Sequence, residues 1–390
     1  MYEFSFASIS TQVLYLSIVF ILLVFPRALQ KYNIPAPLTC FALGMITVFG
    51  VADYSHDTTL SFLAALGISS LFLFAGLEVD LQELKKGFWP LLNHLLSRCL
   101  AIAAFTWAGM NYCDFPMQIS GLIALALLTP STGFILESLS GLNLDENEKF
   151  WIKSKSITGE LLALLLLFIF LKSSSPSDLG ISSAALLAIA FGLPLLFIFL
   201  GRIVIPFAPG SEFSLLIMVG LIAAYLTKQL GVYYLVGAFF TGLAARQLHK
   251  RMPTLASDDN LHAVQLFASF FVPFYFFYGG MKVPVGALQW ESLWIGLGMA
   301  TILLPFRIGT VAAHRIYINK DTKKSSFVIA AALTPTLIFT LVIAGILHEK
   351  FGISDALFGG LLVYAAITTI LPSFVLKKPL SLDVDNPPVH

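Results

Sequence analysis

Residues 128–132, with the sequence LTPST, interrupt one long apolar segment, and residues 156–160, SITGE, lie inside the next one. A proline inside a helix removes a backbone donor and leaves a carbonyl without its partner. Within a membrane such a break is tolerated only where protein or a water-filled cavity surrounds it. A carboxylate inside a span is costly and marks a functional site. A helix break beside a buried carboxylate is typical of ion-coupled transporters.

The composition places the chain in a membrane. Its 390 residues are 57% apolar and 12% charged, with a mean hydropathy of +0.86, whereas a soluble domain carries about a quarter charged residues. The net charge of +1 gives no reason to expect nucleic acid as a partner. The three cysteines lack metal-binding spacing, so we expect no cofactor and no metal beyond a transported cation.

The hydropathy pattern predicts an all-α polytopic protein, because a span needs about 20 apolar residues. A transporter domain covers residues 1–376 and a short cytoplasmic tail covers residues 377–390. The thirteen predicted spans are 8–26, 35–51, 58–80, 88–110, 115–139, 149–171, 180–206, 212–229, 232–248, 263–282, 292–316, 325–347 and 354–376.

The loop charges predict the orientation, because lysine and arginine accumulate in cytoplasmic loops. With the N-terminus outside and the C-terminus in the cytoplasm, 17 basic residues, Lys155 and Arg315 among them, fall on the inner side and 4 on the outer side. Arg98 and Arg307 lie inside spans. We expect the protein in a bacterial inner (plasma) membrane.

The chain also repeats itself. Residues 72–79, FLFAGLEV, match residues 276–283, FFYGGMKV, and residues 128–131, LTPS, match residues 333–336, LTPT, at offsets of 204 and 205 residues. Repeat 1 therefore covers about 8–171, a connector helix covers 180–206, and repeat 2 covers about 212–376. The repeats run in opposite directions, and inverted repeats with paired broken helices predict alternating access around a midplane site.

Glu160 is the predicted centre of that site. It lies about 11 residues into its span, hence ~16 Å deep at 1.5 Å per residue, near the middle of a hydrocarbon core ~30 Å thick. A lone carboxylate there must find a partner or take up a proton, so Glu160 is either a proton carrier or half of a structural ion pair. Ser156, one turn earlier on the same face, could add an oxygen ligand.

The two breaks should cross near Glu160 and supply further oxygen atoms. Unwound carbonyls, hydroxyls and a carboxylate suit Na⁺, K⁺ or H₃O⁺. The alternative is a pair of ordinary proline kinks whose carbonyls are satisfied by threonine hydroxyls. The predicted residues are Thr129, Pro130, Ser131, Thr132, Thr334, Pro335 and Thr336.

Two arginines inside spans are candidates for charge compensation. Arg307 stays protonated and could pair with Glu160, offset half-helix dipoles, or extend to the cytoplasmic face. Arg98 could hold a backbone carbonyl or Glu137, or belong to the site. His94, His262 and His314, near span ends, are expected at the membrane interface.

These segments resemble the monovalent cation:proton antiporters, over essentially all 390 residues. Residues 71–84 are similar to that family's FLxGLExDxxxL segment, residues 233–244 to LGAFLAGL, and residues 274–288 to PLFFxxxGMxxD. Ser131-Thr132 matches the Ser-Thr of the family's first broken helix, and Arg307 stands where relatives have a buried lysine or arginine. Relatives carry Asp-Asp, Asn-Asp or Gln-Asp where this chain has Gly159-Glu160, and many carry Gly-Glu-Phe at the second break.

The sequence therefore predicts a secondary active transporter that exchanges Na⁺ or K⁺ for H⁺ at Glu160, with no net charge movement. The resemblance implies a six-helix core, from spans 4–6 and 11–13, that moves against a scaffold, and it implies a homodimer in the lipid bilayer. Two alternatives remain open. One is a sodium-coupled symporter of an organic anion, held by Arg307 and Arg98. The other is a channel or sensor that has lost exchange.

Overall fold

The computed structural model describes residues 11–32, 34–50, 54–139, 144–173, 176–230, 235–248, 252, 255 and 257–376, without the side chains of residues 11, 12, 83, 137–139 and 176. The predicted tail at 377–390, the first residues of the first span and the side chain of Glu137 lie outside this description.

The described residues are helical almost throughout. Two short 3₁₀ turns occur at Gln30–Tyr32 and Val285–Ala287. The α-helices are α1 Thr11–Leu29, α2 Ala36–Gly50, α3 Thr58–Leu77, α4 Leu81–Lys86, α5 Phe88–Tyr112, α6 Met117–Leu128, α7 Thr132–Leu139, α8 Glu146–Lys172, α9 Pro176–Ile203, α10 Glu212–Gln229, α11 Leu235–Gln247, α12 Asp258–Met281, α13 Trp290–Tyr317, α14 Lys323–Ala332, α15 Leu337–Phe351 and α16 Asp355–Val375.

Ten helical segments among the described residues are long and apolar enough to cross a membrane, with α6 and the start of α7 taken as one segment. The pair α14 and α15, bent by 41°, makes eleven. Helix α2 has 15 residues and α11 has 13, which at 1.5 Å per residue is shorter than a ~30 Å core. Each predicted span contains a helix or a helix pair, but thirteen crossings stay a prediction.

Two groups of helices pack as separate bundles. Helices α5–α8 pack with α13–α16, and we call this group the core bundle. Helices α2, α3 and α10–α12 form the flanking bundle. Within it, Gly76 of α3 and Gly242 of α11 meet backbone to backbone, so any side chain at either position would collide with the partner helix. Small residues are what allow such close approach in membranes.

Helix α8 begins earlier than the hydropathy pattern predicts. Asp145 caps its N-terminus: the N–H of Glu148 donates to Oδ1 of Asp145 over 2.7 Å, and the Glu148 carboxylate accepts from the Asp145 N–H over 3.2 Å. This capping box fixes the start at Glu146 and draws the following lysines into the helix.

The burial of four basic residues corrects the sequence analysis. Lys155 and Arg315, which were assigned to cytoplasmic loops, are fully buried side chains on α8 and α13. His94 and His314, which were expected at the interface, are also buried. Two of the 17 inner charges therefore leave the loop count, and the orientation stays a prediction.

Candidate ion-binding site

The first break separates α6 from α7 at residues 129–131, as the proline at position 130 predicts. The backbone of Thr129 is extended, with φ −84° and ψ 125°. Helix α7 then starts at Thr132, and its first backbone bond runs from the N–H of Ile135 to the carbonyl of Ser131 over 3.0 Å. All residues of the break are buried.

The second break, residues 333–336, separates α14 from α15 and lies directly against the first. The N–H of Ser131 donates to the carbonyl of Pro335 over 2.8 Å. The hydroxyl of Ser131 accepts from the N–H groups of Ile338, at 3.0 Å, and Phe339, at 3.4 Å. One serine of the first break thus caps the helix that follows the second, which satisfies donors left without partners at a helix start.

Ser131→Ala is expected to destabilise the protein by about 1–2 kcal/mol, because two N–H groups at the start of α15 lose their acceptor in a buried place. The measurement is thermal unfolding of the purified protein in detergent. Ser156→Ala is the matched control, because the Ser156 hydroxyl donates only to the carbonyl of Lys153 in its own helix, over 3.0 Å. Equal unfolding temperatures for both variants would contradict this role of Ser131.

Arg98 and Arg307 each donate to a backbone carbonyl where a half-helix ends at a break. Arg98 on α5 donates to the carbonyl of Leu128 at the end of α6. Arg307 on α13 donates to the carbonyl of Leu333 over 3.0 Å and to the hydroxyl of Tyr364 over 3.1 Å. A fixed positive charge at the negative end of a half-helix is favourable.

The sequence left three roles open for Arg307: an ion pair with Glu160, compensation of a half-helix dipole, or extension to the cytoplasmic face. In the described geometry its guanidinium lies at the negative end of a half-helix, where it can compensate the dipole. Arg307 is 7% exposed, so it does not extend to the membrane surface. Within the described part of the chain neither Arg307 nor Arg98 forms an ion pair with Glu160. Tyr364, which the sequence analysis did not single out, links Arg307 to the first break, because its hydroxyl donates to the carbonyl of Leu127 over 2.7 Å.

Glu160 lies on α8 facing the start of α7, and it is 2% exposed. The backbone N–H and the hydroxyl of Thr132 are the polar groups that interact with its carboxyl. Among the residues that the structure describes, neither Oε2 of Glu160 nor Oγ1 of Thr132 has a hydrogen-bond partner with good geometry. Buried polar atoms without partners are rare, and each calls for an explanation such as a bound ion or a catalytic role.

The other hydroxyls that were predicted as ligands hold the backbone. Thr334 donates to the carbonyl of Ala331 over 2.8 Å, and the hydroxyls of Thr336 and Thr368 lie 3.0 Å apart. Thr129 is also buried. Of the predicted ligands, the structure therefore brings Glu160 and Thr132 together. The hydroxyls of Ser131, Ser156, Thr334 and Thr336 make hydrogen bonds to other protein groups.

Gly159 leaves room for Arg98. A Cβ atom at position 159 would lie 3.0 Å from Nη1 of Arg98. The guanidinium thus fills the space that a side chain before Glu160 would need. This contact gives a physical reason for glycine at a position where relatives of the resembling family carry a polar or acidic residue.

A cavity of about 200 Å³ leads to the break from one side. It lies between α1, α2, α3 and α12, and it reaches Gly133, the residue after Thr132. Polar side chains line it: Arg27, Gln30, Gln265 and Ser269. In the predicted orientation this cavity faces the cytoplasm, and Gly133 is its lining residue from the core bundle.

Comparisons with known proteins agree on the family. Residues 16–381 match the family described as "Sodium/hydrogen exchanger, transmembrane". The chain is 28% identical over 377 residues to a probable Na⁺/H⁺ antiporter 3 of Methanocaldococcus jannaschii, covering 93% of this chain and 94% of that protein. It is 23% identical over 366 residues to a Na⁺/H⁺ antiporter of Enterococcus hirae, covering 89% and 92%.

A solved structure has the same fold. The sodium proton antiporter MjNhaP1 of Methanocaldococcus jannaschii, at pH 8, superposes with a TM-score of 0.64 at 16% identity, over 94% of this chain and 96% of that one. At this identity the likeness concerns the fold alone. The match of the family over nearly the whole chain decides the assignment: this chain belongs to the sodium/hydrogen exchanger family.

Proposed function

We propose that this protein exchanges Na⁺ for H⁺ across a membrane, with Glu160 as the carboxylate that binds either ion. The observation that carries the proposal is the buried Glu160 carboxyl beside the hydroxyl of Thr132, with an oxygen of each lacking a hydrogen-bond partner. Two oxygen atoms at a helix break are hard ligands that suit Na⁺. The relatives named as Na⁺/H⁺ antiporters support this choice of ions.

We also propose alternating access. The core bundle carries Glu160 and both breaks, and its movement against the flanking bundle would open the site to each side of the membrane in turn. Lys153 on α8 forms an ion pair with Glu78 at the end of α3, so it bridges the bundles on the side where α8 begins. We propose that this bridge breaks and forms during the cycle. Thirteen spans in two inverted repeats and a homodimer complete the proposed architecture.

The experiment is a proteoliposome assay in which Na⁺ is added to vesicles that hold a pH gradient. Antiport predicts a saturable, Na⁺-dependent loss of the gradient, and K⁺ added in its place measures the choice of cation. Uptake that requires an added organic anion would favour a symporter instead, and a flux linear in the driving force would favour a channel.

The geometry disfavours the organic-anion symporter, because the two arginines that would bind the substrate already bind protein groups. Arg307 donates to Leu333 and Tyr364, and Arg98 donates to Leu128, so both guanidiniums already hold protein groups. A substrate carboxylate would have to displace these contacts and leave a half-helix end without its counter-charge.

Exchange is expected to be electroneutral, with one cation for one proton. Glu160 is neutral when protonated, and the carboxylate with Na⁺ again sums to zero, so both crossings carry the same charge. Arg98 and Arg307 hold protein carbonyls in this geometry and are not part of the proposed exchange. Gly159, the residue before Glu160, supplies no second acid.

The test of electroneutrality is to clamp the membrane potential of proteoliposomes with valinomycin. A potential of ~100 mV is worth about 2.3 kcal/mol per charge moved, so an electrogenic cycle would respond clearly. The expected result is that an imposed potential leaves Na⁺-dependent proton movement unchanged. Proton movement driven by the potential alone would require a second proton in the cycle.

A further inference from the structure

The core bundle contains a buried pair of ionisable groups that the antiport cycle above does not use. Lys155 on α8 is fully buried, and its Nζ lies 3.1 Å from Nδ1 of His314 on α13. His314 is 8% exposed, and its other ring nitrogen, Nε2, has no hydrogen-bond partner. No carboxylate of the described residues forms an ion pair with Lys155.

The contact limits how many protons the two groups hold. A hydrogen bond between an amine and a ring nitrogen needs one lone pair, so an ammonium and an imidazolium cannot make it together. In this geometry one of the two groups is therefore neutral. A further proton would break the bond and place two positive charges side by side in a buried setting.

The carbonyl of Pro90 faces the His314 ring, but the charged side chains around the pair offer little compensation for that second charge. On α5 the ring of His94 meets the ring of His314 edge to face at 5.5 Å, and Nε2 of His94 has no partner. On α13 Arg315 lies over the ring of Trp151 at 4.5 Å and pairs with Asp321, which follows that helix. Among the described residues, Asp321 is thus already paired with an arginine, and Glu148, near the start of α8, acts on the same arginine.

The remaining charged groups on the helices packed around the pair are more distant or already engaged. Arg98 on α5 and Arg307 on α13 hold carbonyls before the breaks, and Lys153 on α8 pairs with Glu78. Lys323 and Lys324 at the start of α14 are exposed. Glu160 lies five residues further along α8, and the side chain of Glu137 on α7 is outside the description.

We propose that Lys155 and His314 form a second proton-binding site, separate from Glu160, which takes up one proton when the side where α8 begins turns acidic. Uptake breaks the contact between α8, which carries Glu160, and α13, which carries Arg307. The core bundle then loses a contact between α8, the helix of Glu160, and α13, the helix whose Arg307 binds the carbonyl of Leu333. Acidification should therefore slow exchange by a route other than competition at Glu160.

Exchange of labelled Na⁺ for unlabelled Na⁺ isolates this site, because saturating Na⁺ on both faces removes proton competition at Glu160. The wild-type rate is expected to fall on acidification by up to about tenfold per pH unit, as for one essential deprotonated group. Lys155→Met and His314→Gln should flatten that fall, whereas His262→Gln, at an exposed histidine on α12, should keep it. A wild-type rate that does not change with pH would overturn the proposal even if neither variant folds.

The protonation itself can be observed without transport. Ring-¹⁵N-labelled histidine NMR of the protein in nanodiscs reports each imidazole, and His314→Gln assigns the signal. We expect His314 to be neutral with Nδ1 as an acceptor at high pH, to become imidazolium on acidification, and to do so at a higher pH in Lys155→Met. A His314 ring that titrates identically in wild type and Lys155→Met would contradict the shared site. This readout does not depend on antiport, so failure of the second site is distinguishable from failure of the proposed function.

Discussion

Replacing Glu160 by glutamine is expected to reduce Na⁺-driven proton movement to that of protein-free liposomes. Glutamine keeps the size of the side chain but can neither release a proton nor neutralise a bound cation. The other acids described in helices lie at their ends or on the surface, so none can take over this role. Unfolding in detergent should be unimpaired, because Glu160 holds no ion pair in the described structure.

Two further variants make the Glu160 result specific. Glu160→Asp keeps the charge but withdraws the carboxylate by one methylene, so exchange should survive with a changed apparent Na⁺ affinity. Glu146→Gln, an exposed acid at the start of the same helix, should exchange like wild type. If Glu160→Gln exchanges Na⁺ for H⁺ at the wild-type rate, the assignment of Glu160 as the ion-binding carboxylate is wrong.

Arg307→Met is expected to lower stability by about 2–3 kcal/mol and to impair exchange severely. The change removes charged hydrogen bonds to the carbonyl of Leu333 and the hydroxyl of Tyr364, and it leaves a buried half-helix end without its counter-charge. Thermal unfolding and the proteoliposome assay measure the two effects.

The conservative variant separates charge from packing. Arg307→Lys keeps the positive charge but offers a single ammonium in place of the guanidinium fork, so it should recover part of the stability and part of the exchange. Arg202→Met, at an exposed position on α9, controls for the loss of an arginine. If Arg307→Met and Arg202→Met have the same unfolding temperature, Arg307 does not support the second break.

The sequence was most informative where the membrane penalises a residue type. Prolines also lie inside continuous apolar helices, such as α12 and α13, so a proline alone does not predict a break. The positions of both breaks were predictable because Pro130 and Pro335 stand in matched motifs, LTPS and LTPT. The cost of a carboxylate within a span pointed to a buried Glu160, whereas for Arg307 an extension to the cytoplasmic face stayed open. A capping box just before α8, Asp145 with Glu148, is also visible in the sequence, and it would have moved the predicted helix start from 149 to 146.

The crossing of the two breaks was expected from the matched motifs, but the individual side-chain contacts between distant segments were not predictable. Hydroxyls near a break can bind an ion or satisfy the backbone, and only their neighbours decide which. Ser131 caps a helix more than 200 residues away in the chain, and Tyr364 joins Arg307 to the end of α6. Local sequence patterns carry no information about such side-chain pairings, because the pairings depend on how helices α5–α8 pack against helices α13–α16.

The paired arginines bear on the predicted inverted repeats. Arg98 on α5 donates to the carbonyl of Leu128 at the end of α6, and Arg307 on α13 donates to the carbonyl of Leu333, which follows α14. Equivalent contacts at matched positions are what two repeats would produce. The internal symmetry itself stays a prediction, as do the thirteen crossings.

In the proposed cycle Na⁺ and H⁺ compete for the carboxyl of Glu160. The most direct measurement is calorimetric titration of the purified protein with Na⁺ in two buffers that differ in their heat of ionisation, over a range of pH. At low pH each Na⁺ bound should release about one proton, the release should vanish at high pH, and Glu160→Gln should bind no Na⁺ at the site. Na⁺ binding without proton release at every pH, or proton release that persists in Glu160→Gln, would contradict the account.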